Sequence, residues 1–279
     1  IRIPGLGFSF QTSDLAKLAL VMYVSRQLAL NQFDIRNYKK VLLPVLLAIV
    51  VICALIVPNN LSTALILMAT CLILAFVGRI PVAQLGAVGL LTVLLFGSYV
   101  LFELNSPGES RVETWKNRIV SFMDEDRGDD FQSSQAKIAV ATGGIIGKGP
   151  GNSTQRHYLP QAYSDFIYAI IIEEYGIIGG AVMLLLFLGL LYRCVLISYR
   201  APNSFGALLV LGLSFSLVIQ AFINMGVAVN LIPVTGQTLP LMSMGGTSML
   251  FMSITLGIIL SVSKDIEDRA KRRTRLAKA

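Results

Sequence analysis

Residues 128–176 read GDDFQSSQAKIAVATGGIIGKGPGNSTQRHYLPQAYSDFIYAIIIEEYG and pass from a polar, glycine-rich loop into an apolar helix, with Asp165 at the boundary. A carboxylate placed where a loop enters a membrane meets water, lipid headgroups and a low-dielectric wall together. Such surroundings tune its pKa toward general acid–base work. Asp165 is therefore the first candidate for chemistry. With Ser164 it is also placed to cap the helix that follows, and capping and catalysis are compatible. The segment GGIIGKGPGNS at 143–153 invites a nucleotide-loop reading. It fails, because Thr142 stands where the first glycine is needed and Gly149, not Ser or Thr, follows Lys148. What remains is glycine-rich backbone flanked by Lys148 and Arg156, suited to a pyrophosphate headgroup or to a plain flexible turn. His157 is the only histidine, which leaves no histidine-based acid–base pair or zinc site and points to a polar loop contact.

Other polar groups recur at helical spacings. Asp14 and Lys17, three apart, can pair on one face or present charge to a cavity. Ser13 and Asp14 are also placed to cap the first helix. Glu173 and Glu174 follow Asp165 by two to three turns, and at least one must face the protein interior, since adjacent carboxylates in lipid are costly. Structural and site-supporting roles fit them equally. Gln220 and Asn224, four apart, suit hydrogen bonds between helices. Gly245 and Gly246 lead into Thr247 and Ser248, either a helix N-terminus favouring an anion or a glycine turn with a hydroxyl cap.

The elements that must hold these groups follow from composition. The chain has 279 residues, 54% of them hydrophobic and only 14% charged, with a mean hydropathy of +0.70. That excludes an ordinary soluble domain and predicts an all-α, polytopic helical membrane protein. Apolar runs near 15–30, 41–57, 61–78, 82–102, 165–192, 205–229 and 247–263 give seven expected transmembrane helices in one domain, 1–279. Residues 103–164 form a large extracellular loop, with an amphipathic helix expected around 132–142, and 264–279 a basic cytoplasmic tail facing anionic membrane lipids. The net charge of +7 does not imply nucleic acid, because the basic residues fall between helices on alternate sides. Arg26, Arg36, Lys39, Lys40, Arg79, Arg193 and Arg200 are expected to be cytoplasmic, and the loops 58–60 and 230–246 hold no Lys or Arg. The Pro- and Gly-bearing segment 230–246 is expected as a re-entrant loop buried in protein. With the C-terminus cytoplasmic, residue 1 falls outside, so an odd number of upstream helices is expected. Cys53, Cys71 and Cys194 are expected as packing residues.

Four ordered blocks, QTSDLAK at 11–17, GGIIGKGPGNSTQ at 143–155, LPQAYSDFIYAIIIEEYGIIGG at 159–180 and INMGVAVNLIPVTGQTLPLMSMGGTS at 223–248, resemble the SEDS family (shape, elongation, division and sporulation). Their wording is closer to the division-type FtsW branch than to the elongation-type RodA branch. The resemblance implies a ten-helix fold of which these would be the fourth to tenth helices. It implies an inverting glycosyltransferase of the bacterial cytoplasmic membrane that polymerises lipid II on the outer face, with a class B penicillin-binding protein as partner. Asp165 matches the family's catalytic aspartate and would take the acceptor hydroxyl proton. Lys148, Arg156 or a divalent cation would meet the leaving pyrophosphate, with metal ligands unspecified. Lys17, Asp14, Gly245 and Gly246 would line the substrate site. Thr12 and Asp14 replace a proline and glutamate of the family pattern, and Asn60 and Gln161 stand where it has acids. A lipid II flippase and a division scaffold are the competing functions, and the seven-helix chain by itself is expected to be inactive.

Overall fold

The computed structural model describes residues 11–33, 41–104, 111–123, 131–159 and 162–276. The expected cytoplasmic positions Arg36, Lys39 and Lys40, and the departure at Gln161, lie outside the described residues. Among those described are nine α-helices, one short 3-10 turn at Gln155–His157 and no strand. The helices are α1 (Thr12–Leu30), α2 (Leu43–Ile56), α3 (Leu61–Val77), α4 (Val82–Leu104), α5 (Arg111–Met123), α6 (Phe131–Gly143), α7 (Ile167–Arg200), α8 (Ser204–Ala228) and α9 (Gly246–Leu276).

The expected spans fall on α1–α4 and α7–α9. Ile167–Arg200, Ser204–Ala228 and Ser248–Leu276 are long and apolar enough to cross a membrane. Leu43–Ile56 and Leu61–Val77 are apolar but shorter, and α4 is apolar over Val82–Ser98. α1 is 19 residues long and carries Asp14, Lys17 and Arg26. Two helices run past their expected ends. α7 continues through Arg193 to Arg200, and α9 continues through the basic tail to Leu276, where Arg269 pairs with Asp265 one turn earlier at 2.9 Å.

Contacts cluster into two compact units. One holds residues 1–86, 188–218 and 246–279. There α1, α2 and α3 pack on one another and α1 packs on α9, burying Val21, Val24, Ile49, Leu67 and Leu74. Pro44 sits in the first turn of α2, where its missing N–H costs nothing. Asn60 caps α3 by accepting from the Thr63 N–H at 3.0 Å, so the amide does there what a carboxylate would do. Ser13 and Asp14 do not cap α1, contrary to expectation. The N-cap residue is Gln11, and Asp14 lies inside the first turn, where its Oδ1 accepts from Lys17 Nζ at 3.2 Å. The three cysteines are buried and unbridged.

The other unit holds residues 87–187 and 219–245. A helix, α6, forms where an amphipathic one was expected, but its apolar side chains are not gathered on one face, and the amphipathic helix of this segment is α5. A second loop helix, α5, was not anticipated; its Trp115 stacks on Phe96 with ring centroids 5.8 Å apart. The segment after α8 is irregular and folded into the unit, with Gln237, Leu239 and Ser243 buried, as expected of a re-entrant loop.

Candidate functional site

Two clusters of candidate side chains lie in the unit formed by 87–187 and 219–245. The first is built on Asp165, half-buried in the loop that precedes α7. Its Oδ1 accepts from Ser164 Oγ at 2.9 Å. Its backbone carbonyl accepts from Asn224 Nδ2 at 2.7 Å, and the same amide nitrogen donates to the Gln237 carbonyl at 2.7 Å. Asn224, only 1% exposed, thus joins Asp165 to the 230–245 loop. Gln220, one turn earlier, donates to the Thr238 carbonyl at 3.0 Å. The Ser243 hydroxyl donates to the Ser164 carbonyl and accepts from the Leu239 N–H. The Met244 N–H donates to the Tyr163 carbonyl at 2.8 Å.

The expectation that Gln220 and Asn224 serve helix–helix contacts is corrected by these bonds. Both reach backbone carbonyls of irregular segments, which have no helical N–H to satisfy them. Gly236 adopts φ +67°, and a Cβ built there would stand 3.8 Å from Asp165 Oδ2. A side chain there would therefore be strained by the backbone, with its Cβ in ordinary contact with the carboxylate.

The electrostatics of Asp165 follow from this setting. Burial raises its pKa, opposed by the Ser164 hydrogen bond and by the positive charge of Arg118. Arg118 lies on α5 and donates from Nη1 to the Val234 carbonyl at 3.3 Å. It was not among the residues singled out from the sequence. The apolar spacing of Val112, Trp115, Ile119 and Phe122 was a helix signal available there, but the partner loop is more than a hundred residues away.

The second cluster surrounds Glu173, fully buried about two turns into α7. Its Oε1 accepts from Lys148 Nζ at 2.6 Å and from the Thr154 N–H and hydroxyl at 3.2 and 2.8 Å. Its Oε2 accepts from the Ser153 hydroxyl and the Gln155 N–H. α7 breaks just beyond, at Gly176 (φ 70°, ψ −173°). The broken turn is mended by the glycine loop: the Lys148 and Gly149 N–H groups donate to the Glu173 and Glu174 carbonyls at 3.0 and 2.9 Å. The Ile177 and Ile178 N–H groups donate back to the Gly144 and Ile145 carbonyls. Gly147 and Gly176 make this possible. Both have positive φ, and a Cβ on either would fall on the other segment's backbone, at the Glu174 carbonyl and the Ile145 carbonyl respectively.

These contacts change what the loop offers. The sequence suggested free N–H groups and a free Lys148 for a pyrophosphate. In the structure the Lys148 and Gly149 N–H groups are spent on α7 and the Lys148 ammonium is paired with Glu173. Arg156 is half-buried, and its Nε donates to His157 Nε2 at 3.1 Å. Asp14 and Lys17 are paired with one another in the other unit. Gly246 opens α9, with nothing within 4 Å of a Cβ built on it. Among the described residues no group of three or more His, Cys, Asp or Glu stands together.

Replacing Asn224 by Leu removes both donations and leaves two buried carbonyls unsatisfied, at about 1–3 kcal/mol each. With Asp165 as the expected base, misplacing it by even an ångström is expected to lower kcat about 100-fold with little change in KM. Steady-state kinetics on the purified variant check this; equal losses in kcat and folded fraction would contradict it.

The sequence profile described as Cell cycle protein, covering FtsW, RodA and SpoVE, matches residues 1–268. Stage V sporulation protein E of Bacillus subtilis (strain 168) is 36% identical over 284 residues, 95% of this chain and 75% of that protein. A probable peptidoglycan glycosyltransferase FtsW of Geobacter sp. (strain M18) is 34% identical over 270 residues, 94% of this chain and 70% of that one. Among solved structures, a chain from a peptidoglycan synthase complex that coordinates polymerization and crosslinking superposes with a TM-score of 0.71. It is 26% identical and covers 95% of this chain and 72% of that one. Rod shape determining protein RodA of Thermus thermophilus superposes with a TM-score of 0.62 at 25% identity, covering 94% of this chain and 68% of that one.

Proposed function

The chain belongs to the FtsW/RodA/SpoVE cell cycle protein family, and from that premise we propose that it polymerises peptidoglycan glycan strands from lipid II in division or cell-shape wall synthesis. It is a multi-pass helical membrane protein and a peptidoglycan glycosyltransferase. The observation that carries the assignment to a site is the Asp165 carboxylate. It is half-buried at the head of a long apolar helix, locked through its backbone by Asn224, and its Oδ2 lies beside Gly236.

In the proposed reaction the acceptor sugar hydroxyl gives its proton to Asp165 while its oxygen bonds to the donor anomeric carbon. The bond from that carbon to the phosphate oxygen breaks with inversion, and the electron pair leaves on the polyprenyl diphosphate. Burial suits Asp165 to the task, because a weaker acid makes a better proton acceptor. The charge asymmetry of the loops supports placing the C-terminus in the cytoplasm and Asp165 on the outer face of the cytoplasmic membrane. Asp14, Lys17, Gly245 and Gly246 stay proposed substrate-lining residues on the family pattern. A class B penicillin-binding protein is the proposed partner, supported by the similarity to a chain of a peptidoglycan synthase complex.

Reconstitution of the full-length protein in proteoliposomes with labelled lipid II tests the assignment. The expected result is long glycan polymer resolved by gel electrophoresis. Headgroup translocation without polymer would replace the polymerase with a flippase. Neither activity, in a protein that still supports division, would leave a scaffold.

A further inference from the structure

We infer that the Arg118 guanidinium is the cation that receives the diphosphate of the polyprenyl-diphosphate donor, acting across the same loop that holds the Asp165 carboxylate. The inference rests on the polymerase assignment and names the group that takes the leaving charge. Three observations carry it. First, Arg118 and Asp165 address adjacent parts of one loop. Arg118 donates to the Val234 carbonyl, and Asp165 Oδ2 lies beside Gly236. Val234 and Gly236 are two residues apart, a span of at most about 7 Å of chain.

Second, the guanidinium is exposed and donates to a carbonyl rather than closing on the carboxylate. A guanidinium has five N–H donors in a fixed fork matched to phosphate oxygens, so most of its capacity faces solvent. Third, the two lysines that the sequence suggested are paired with carboxylates, Lys148 with Glu173 and Lys17 with Asp14. The Asp165 carboxylate also responds to the Arg118 charge, which places the two within electrostatic reach.

The division of labour is that of an inverting displacement. The base stands on the acceptor side of the anomeric carbon and takes one proton. The leaving diphosphate gains one negative charge on the opposite side, and a fixed cation there is more strongly bound in the transition state than in the ground state. Arg118 therefore contributes to kcat as well as to donor binding.

The test uses the full-length protein in lipid nanodiscs with R118Q and R118K. Binding of undecaprenyl diphosphate is compared with binding of undecaprenyl monophosphate, and polymerisation kinetics are measured in parallel. R118Q is expected to weaken diphosphate binding at least 10-fold, to leave monophosphate binding less affected, and to lower kcat about 100-fold. R118K, which keeps the charge but loses the fork, is expected to recover part of both. The melting temperature of either variant should match the parent, because the side chain is exposed. Unchanged diphosphate affinity and kcat in R118Q would overturn the role of Arg118 while leaving the polymerase assignment intact. A parent protein that binds the diphosphate through Arg118 yet makes no polymer would instead overturn the polymerase assignment.

Discussion

Asp165→Asn is expected to leave a folded protein with polymerisation reduced about 1,000-fold or more, within the range that a positioned general base contributes. The substitution is nearly isosteric, and the contacts that fix the site survive it. Asn224 still holds the residue 165 carbonyl, Ser243 still holds the Ser164 carbonyl, and the Ser164 hydroxyl still has an oxygen to donate to. What disappears is the group able to accept a proton at the pH of the reaction. The pH profile gives a sharper version of the same prediction. Burial outweighs Ser164 and Arg118 and holds the Asp165 pKa above its ordinary value. The deprotonated base is therefore lost at a higher pH than an exposed carboxylate would allow. In the parent enzyme kcat should fall tenfold per pH unit below that pKa, with the limb lying above that of an exposed aspartate. In R118Q the limb should move further up, since removing a nearby cation favours the neutral acid. An acid limb that stays put in R118Q, or polymerisation that persists in Asp165→Asn, would contradict the assignment of the base.

The apolar runs were legible because membrane helices are written in long uninterrupted stretches. α3 and α8 match their expected limits to within a residue or so. α7 overran because Cys194 to Tyr199 are mostly apolar, and a lone Arg193 does not stop a helix whose side chains can extend toward the interface. Asp165 was legible for a local reason, a carboxylate at a loop–helix boundary. Its partners were not. Asn224 and Gln220 announced a face but not what it would meet, and only the return of the 230–245 loop supplies the Asp165, Gln237 and Thr238 carbonyls. Arg118 was hidden in the same way: α5 interleaves its apolar face with charged residues, and the segment was taken as loop. The glycines of 143–151 were correctly seen as special but for another reason. Of these, Gly143 and Gly147 let one backbone lie against another beside the break in α7, rather than freeing N–H groups for a ligand.

That close approach is what makes Glu173 the position where the fold is most exposed to a single change. Glu173→Ala removes an acceptor that receives Lys148, Ser153, Thr154 and Gln155 at once, leaving an ammonium and several N–H and O–H donors without their partner. The Lys148 side chain is 30% exposed, so the cost lies mainly in the donors that stay buried, at about 1–3 kcal/mol each. Glu173→Gln should recover little, because a side-chain amide offers one oxygen and one NH2, and both carboxylate oxygens here face donors. Whichever way the amide turns, its NH2 meets either Lys148 and Thr154 or Ser153 and Gln155. A double substitution, Glu173→Ala with Lys148→Ala, should cost less than the sum of the two single changes, since the stranded ammonium goes with its partner. Thermal unfolding in detergent and limited trypsin cleavage after Lys148 and Arg156 read the outcome directly. The expected pattern is a lowered melting temperature and early cleavage in the loop, with polymerisation falling in proportion to the folded fraction. Asp165→Asn gives the opposite pattern, full structure without turnover. If Glu173→Ala instead kept its melting temperature while losing activity, Glu173 would belong to the chemistry, and the carboxylate that holds the glycine loop on α7 would have to be sought elsewhere.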